Sequence, residues 1–174
     1  MRIKWFSLIR ITGLILVLLY HFFQTIFPGG FFGVDIFFTF SGFLITSLLL
    51  EEFSQKGEID IIGFFRRRFY RIFPPVVMMV LVIMPFTLMV RQDYVAGIGA
   101  QIAGVLGFMT NFYEMLTGGS YESQFIPHLF VHNWSLAVEV HYYILWGLAV
   151  WIMYKRYKKS GQLRGKVFIP SYAV

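Results

Sequence analysis

Long apolar stretches follow one another along most of the chain, separated by short polar connections. A helix needs about 20 mostly apolar residues to cross the roughly 30 Å hydrocarbon core of a bilayer. Stretches near that length occupy residues 5–27, 31–50, 72–90, 94–116 and 134–154. They predict an all-α fold, a polytopic transmembrane helical bundle of about five membrane segments. We assign 1–154 to this membrane domain and 155–174 to a basic, flexible C-terminal tail.

The composition supports lipid rather than water as the main solvent. Hydrophobic residues make up 57% of the 174 residues and charged residues only 14%. In soluble domains, about a quarter of all residues are charged. The chain also contains no cysteine. This excludes a disulfide scaffold, a cysteine-ligated zinc site, an iron–sulfur cluster and a cysteine nucleophile.

Basic residues lie in blocks at the ends of the predicted segments and give a net charge of +6. The positive-inside bias explains such blocks better than a nucleic-acid surface does, and it predicts a cytoplasmic N-terminus and 51–71 loop. Five crossings conflict with this rule, because they put the last block outside. Of the five segments, the glycine-rich 94–116 segment has the weakest pattern for a spanning helix. The alternative is that it forms a broken or re-entrant segment. The blocks consist of Arg2, Lys4, Arg66, Arg67, Arg68, Arg71, Lys155, Arg156, Lys158 and Lys159.

Ionisable side chains inside apolar segments are candidate functional groups, because inserting one costs about 2.5–3.5 kcal/mol. Arg10 and His21 are eleven residues apart, so they share one helix face and lie roughly 16 Å apart along the axis. Asp35 would sit at the depth of His21 in a tight hairpin around Pro28, where its carboxylate would orient the imidazole. The structural alternatives are a snorkelling Arg10, a His21 held by a nearby carbonyl, and an N-cap role for Asp35.

Two further groups of polar residues stand out. Arg68 and Arg71 precede Pro74, which predicts a helix start with an arginine cluster at the membrane surface. The cluster fits either anionic lipid head groups or a phosphate-bearing ligand. His132, Ser135 and Glu139 share a face if their helix reaches back to residue 132. His128 and His132 have zinc-like spacing but lack an obvious third ligand, so no metal is predicted.

Four of these patterns together resemble the acyltransferase family 3 integral-membrane O-acyltransferases, and within them the bacterial peptidoglycan O-acetyltransferase type. The resemblance covers residues 10–139 and only the N-terminal half of the family domain. One departure is Val140-His141, where members often have Glu-Gln. The matching motifs are Arg10 to His21, residues 33–45, Arg68-Phe69-Tyr70-Arg71 with Pro74, and residues 132–139.

The resemblance implies transfer of an acyl group, expected to be acetyl, from acyl-CoA to a hydroxyl of a cell-envelope carbohydrate. It implies acetyl-CoA as the co-substrate and no metal. The expected location is the bacterial plasma membrane, with lipid, the carbohydrate and a polypeptide supplying the missing helices as partners, and no nucleic acid. The catalytic candidates are His21, Arg10, Asp35 and Glu139, and the coenzyme candidates are Arg68 and Arg71. The alternatives are a non-catalytic truncated fragment and a polytopic transporter or lipid-handling protein.

Overall fold

The computed structural model describes residues 4–89, 97–117 and 128–159, and these residues form an all-helical structure, as predicted. Short 3-10 turns, Pro28–Phe31 and Val131–Asn133, lead into the second and the last helix. Within these ranges, three segments are long and apolar enough to cross a membrane, namely Pro28–Lys56, Ile61–Thr87 and Val131–Lys159, and the apolar helix Ser7–Phe22 is shorter. The helices are α1 (Lys4–Phe22), α2 (Phe32–Lys56), α3 (Ile61–Met89), α4 (Ile98–Leu106), α5 (Thr110–Thr117) and α6 (Trp134–Lys159).

The predicted segment 94–116 does not form one spanning helix in its described residues. Helices α4 and α5 contain nine and eight residues, so they rise only about 14 and 12 Å. The chain turns between them at Gly107 and at Phe108, which has a positive φ of 54°. The amide of Met109 donates back to the carbonyl of Gly104 at 2.7 Å and closes this turn. The structure therefore has the broken segment that the glycine content offered as the alternative.

Helix α3 begins earlier than predicted, and the arginine cluster lies inside it. The expected helix start at residue 72 is wrong, because α3 runs from Ile61 and contains Pro74 and Pro75 in its interior. Each proline lacks an N–H and so removes one i→i−4 hydrogen bond. The long helical stretches on both sides of the pair remain, and the helix continues through it.

The last helix also passes a predicted boundary. Helix α6 extends to Lys159, so residues 155–159 of the predicted tail are helical. Residues 160–174 lie outside the described part of the chain. The sequence predicts a boundary at 155 because apolar residues give way to basic ones there. Basic side chains at a helix C-terminus are favourable for the helix dipole, so the helix does not have to stop there.

One compact unit comprises residues 1–59 and 145–174, and its described part is built on a tight hairpin of α1 and α2. A Cβ atom added to Gly33 would lie 2.5 Å from the Gly13 carbonyl oxygen and 2.8 Å from Val17 Cγ2. A Cβ atom on Gly30 would meet the Leu16 carbonyl oxygen. The two backbones therefore approach closely at these glycines, as small residues allow in membrane helix pairs.

Within the same unit, α2 and α6 run parallel. Trp146 Nε1 donates to Thr46 Oγ1 at 2.9 Å, and near the ends of the two helices Lys158 Nζ donates to Glu58 Oε1 at 2.8 Å. This hydrogen bond and the lysine charge lower the pKa of Glu58 below its ordinary value. The antiparallel α1 begins at this same end, so basic residues of all three helices collect there. This arrangement agrees with the positive-inside rule.

We expect that end of the unit to face the cytoplasm. Single cysteines replacing Gln55 and Lys159 should both resist a membrane-impermeant thiol reagent in intact cells, since both residues lie at the ends of parallel helices. A cysteine replacing Gly29, in the turn between α1 and α2, should react readily and serves as the matched control. Labelling at position 159 together with protection at position 55 would contradict this expectation, because it would mean that the chain crosses the membrane an odd number of times between the two positions.

The second unit comprises residues 60–144. Its helices α3 and α4 pack together, and α5 contacts the 3-10 turn before α6. Val76, Val80, Val105 and Phe130 form its buried core, with Phe130 only 1% exposed. The Asn133 side-chain amide donates to the Phe130 carbonyl at 3.3 Å. The segment leading into α6 is therefore anchored to α3 and α4 by apolar packing.

Candidate functional site

His21 lies in the last turn of α1, with its imidazole exposed at the helix surface. Its Nδ1 atom lies 2.8 Å from the carbonyl oxygen of Val17. A carbonyl oxygen can only accept, so Nδ1 carries the proton and the neutral ring has its lone pair on Nε2. The backbone contact offered as the structural alternative is thus present, but it also orients the ring with Nε2 as the nitrogen that can accept a proton or an acyl group.

Arg10 and His21 lie on the same face of α1. The helix Lys4–Phe22 is continuous, and after eleven residues the side-chain direction returns to within about 20° of its start. Both residues border the stripe of α1 that packs on α2, since Arg10 precedes Gly13 by three residues and His21 follows Val17 by four. Arg10 is partly buried. The predicted polar stripe along α1 is therefore retained beside the hairpin.

The structure does not bring Asp35 to His21. Gly33 packs against Gly13 and Val17, so Asp35 lies level with the middle of α1, about 12 Å further along the axis than His21. Asp35 also points about 200° away from Gly33 around α2. It is exposed, and it is not the N-cap, because that position belongs to Phe31. The expected equal depth of Asp35 and His21 is wrong.

Arg68 is buried in the second unit, with only 9% of its surface exposed. Its guanidinium lies 5.7 Å from the ring centres of both Phe64 and Tyr143, a geometry typical of cation–π contacts. The Tyr143 hydroxyl donates a short hydrogen bond to Glu139. Tyr143 thus connects an arginine of α3 with the glutamate of α6, a role that no sequence motif indicates.

A cavity of about 460 Å³ adjoins Arg68. Among its lining residues, Arg68 is the one with a charged side chain, and the walls are otherwise aliphatic and aromatic. Arg71 is exposed and does not line the cavity. The two arginines therefore have different surroundings. The remaining lining residues are Phe65, Phe69, Ile72, Leu106, Phe108, Val140, Tyr143 and Ile144.

The motif at residues 132–139 is only partly helical. Helix α6 starts at Trp134, so His132 lies in the preceding 3-10 turn and does not continue the face of Ser135 and Glu139. The Ser135 hydroxyl instead donates to the His132 carbonyl at 3.3 Å. The condition for a shared face, a helix reaching back to residue 132, is not met.

Glu114 and His128 form a largely buried pair that no sequence pattern indicates. Glu114 Oε2 accepts a hydrogen bond from His128 Nδ1 at 2.6 Å. The partners are fourteen residues apart and meet through tertiary packing, so helical spacing does not reveal them. Among the described residues, no group of three histidine or carboxylate side chains is arranged to hold a metal ion.

Comparison with known proteins identifies the family. The family model described as an acyltransferase domain matches residues 3–161. The O-acetyltransferase OatA of Staphylococcus aureus strain NCTC 8325 / PS 47 is 32% identical over 150 residues, which cover 86% of this chain and 25% of the relative. A protein of strain COL with a provisional O-acetyltransferase name is 34% identical over 136 residues, covering 78% of this chain and 22% of its own length.

The chain thus spans about a quarter of the length of these curated relatives. No solved structure matches it. The apolar helices of membrane-spanning length agree with a multi-pass membrane location. The family match covers most of the chain. It includes both the α1 stripe of Arg10 and His21 and the cavity beside Arg68. The chain therefore belongs to the acyltransferase 3 family and is a homologue of the membrane O-acetyltransferase OatA.

Proposed function

We propose that this chain is part of an O-acetyltransferase that moves an acetyl group from acetyl-CoA to a hydroxyl of a cell-envelope carbohydrate. The family match over residues 3–161 carries the proposal. The name of the relative OatA supports the choice of acetyl and of a hydroxyl acceptor. The apolar helices support a membrane setting, in which the donor and the acceptor approach from opposite sides.

His21 is the residue we assign to the chemistry. Its Nδ1 contacts the Val17 carbonyl, and Nε2 is the nitrogen to which we assign the chemistry. As a general base, Nε2 removes the hydroxyl proton while the oxygen attacks the acyl carbon, the C–S bond breaks, and the coenzyme thiolate leaves and takes up a proton. As an acyl carrier, Nε2 first attacks the acyl carbon and then yields the group to the hydroxyl. Both routes require an imidazole.

Arg68 and its cavity are our proposed donor site. A buried guanidinium beside an apolar cavity of about 460 Å³ suits a ligand with a phosphate at one end and an uncharged arm. Arginine matches phosphate oxygens with paired hydrogen bonds. Arg10 supplies a second positive charge on the α1 stripe, and exposed Arg71 makes a weaker, solvent-screened contribution. Glu139 acts here through Tyr143, which it holds under the guanidinium.

We propose that the active enzyme also contains the further membrane helices of the family domain, provided by additional polypeptide. Large apolar side chains are exposed along the described helices, for example Leu14 at 51% and Leu81 at 61%. In the membrane these surfaces contact lipid or those additional helices, because contiguous apolar surface of this extent is unfavourable in water.

We expect membranes in which the chain is joined to the remaining family helices to transfer labelled acetyl from acetyl-CoA to envelope glycan. The readout is alkali-labile label on the purified glycan, because an O-acetyl ester hydrolyses under mild alkali. Membranes that lack the chain provide the background. Label that is absent, or that resists alkali, contradicts an O-acetyltransferase function.

A further inference from the structure

A second histidine of this chain is oriented by a carboxylate. His128 Nδ1 and Glu114 Oε2 are 2.6 Å apart, and the two side chains are 13% and 8% exposed. In the tautomer that has the proton on Nδ1, His128 donates to this carboxyl oxygen and its lone pair lies on Nε2. A base whose far nitrogen is held by a buried carboxylate is the arrangement that acid–base catalysis uses to fix the tautomer and to stabilise the imidazolium that forms.

Buried polar atoms around this pair support a functional role. Within the described part of the chain, Glu114 Oε1, Thr110 Oγ1 and Asn111 Oδ1 are buried without a hydrogen-bond partner. Such atoms cost free energy and are rare in native structures, so they call for an explanation. Since no described residue donates to Oε1, this oxygen is available to accept a hydrogen bond from a ligand.

The unpartnered atoms also indicate the class of ligand. Glu114 Oε1 and Asn111 Oδ1 are carboxyl and amide oxygens, which accept hydrogen bonds, and the Thr110 hydroxyl can accept one as well. A carbohydrate carries several hydroxyl groups that donate hydrogen bonds, so it matches such a set of acceptors.

We propose that Glu114 and His128 form a second acid–base site that binds and deprotonates the acceptor hydroxyl. This inference rests on the proposed function and on the second of its two routes, in which His21 is an acyl carrier and does not remove the hydroxyl proton. In the step, His128 Nε2 takes the hydroxyl proton while the hydroxyl oxygen forms a bond to the acyl carbon. The bond from that carbon to the group that carries it breaks, and the departing group keeps the electron pair and takes up a proton. Glu114 orients His128 and compensates its new charge.

The local fold does not depend on this pair alone. Phe130, 1% exposed, lies in the core with Val76 and Val105, and Asn133 bonds to its carbonyl. These contacts anchor the segment two residues after His128. Substitution of the imidazole should therefore leave the helical framework in place, so that chemical and structural roles can be separated.

The test compares two acceptors in the protein joined to its remaining helices. Hydroxylamine attacks acyl groups without prior deprotonation, whereas a carbohydrate hydroxyl needs a base. We expect His128→Gln to lower carbohydrate acetylation at least about 100-fold, the lower range for loss of a general base, while transfer to hydroxylamine stays near the parent rate. Glu114→Gln should act in the same direction. The spontaneous reaction of hydroxylamine with acetyl-CoA is subtracted using membranes without the protein.

His141→Gln is the matched control, because it removes another imidazole of the same unit, one that contacts the Phe112 ring, and should affect neither acceptor. Unchanged carbohydrate acetylation in His128→Gln overturns the inference and leaves the proposed function intact. A parallel loss with both acceptors assigns the pair a structural role and also overturns it. A parent protein that acetylates neither acceptor overturns the proposed function and this inference together.

Discussion

Replacing His21 with glutamine should abolish glycan O-acetylation while membrane insertion and protein level stay normal. The glutamine amide can still donate to the Val17 carbonyl that His21 Nδ1 contacts at 2.8 Å, but it neither accepts a proton nor carries an acyl group. Loss of a general base typically lowers a rate by about 10²–10⁴-fold. The measurement is alkali-labile acetate on the glycan, made with the chain joined to the remaining helices.

His21→Ala and His141→Gln complete this experiment. A catalytic His21 requires that the alanine variant is as inactive as the glutamine variant. A structural His21 requires instead that glutamine is tolerated and that alanine lowers protein abundance. His141 contacts the Phe112 ring and has no role in the proposed chemistry, so His141→Gln should be fully active. Full acetylation by His21→Gln would remove His21 from the chemistry.

Replacing Arg68 with glutamine should weaken acetyl-CoA binding roughly 10- to 150-fold. A hydrogen bond to a charged group contributes about 1.5–3 kcal/mol, and about 1.4 kcal/mol corresponds to a tenfold change in affinity. Arg68 is buried between Phe64 and Tyr143 beside the cavity, so its contact with a phosphate is shielded from water. Binding of labelled acetyl-CoA to detergent-solubilised protein measures the effect.

Arg71→Gln and Tyr143→Phe are the comparisons for Arg68. Arg71 is exposed, so its loss should weaken binding much less, because solvent and salt screen its charge. Tyr143→Phe keeps the ring against the guanidinium but removes the hydroxyl that donates to Glu139. Its loss of acetyl-CoA affinity should lie between those of Arg71→Gln and Arg68→Gln. Unchanged binding together with altered topology in Arg68→Gln would show that the arginine contacts lipid head groups instead.

Local sequence was a sufficient guide where neighbouring residues decide the structure. Apolar length predicted the membrane helices, and the eleven-residue spacing placed Arg10 and His21 on one face of α1. Both features depend only on the helical period and on the thickness of the bilayer. The tight turn near Pro28 was also foreseeable, since proline and glycine mark helix ends and close backbone approaches.

Helix boundaries were less predictable where one local rule competed with a longer stretch. The prolines of α3 suggested a helix start, yet the helix passes through them because many residues on each side keep their hydrogen bonds. The glycines after residue 96 lowered the helical propensity of that segment, but only the structure shows the break at Gly107 and Phe108. That break makes α4 and α5 too short to cross, which reconciles the basic residues of α6 with the positive-inside rule.

The sequence by itself determined the membrane class of this protein, its family and the stripe from Arg10 to His21, because these depend on composition, local motifs and helical periodicity. Only the tertiary structure decided that Asp35 lies away from His21, since the contact of Gly13 with Gly33 sets the register of the hairpin. The pairing of Glu114 with His128 likewise joins residues distant in sequence. Such contacts depend on how whole helices pack, and no spacing rule within one helix contains that information.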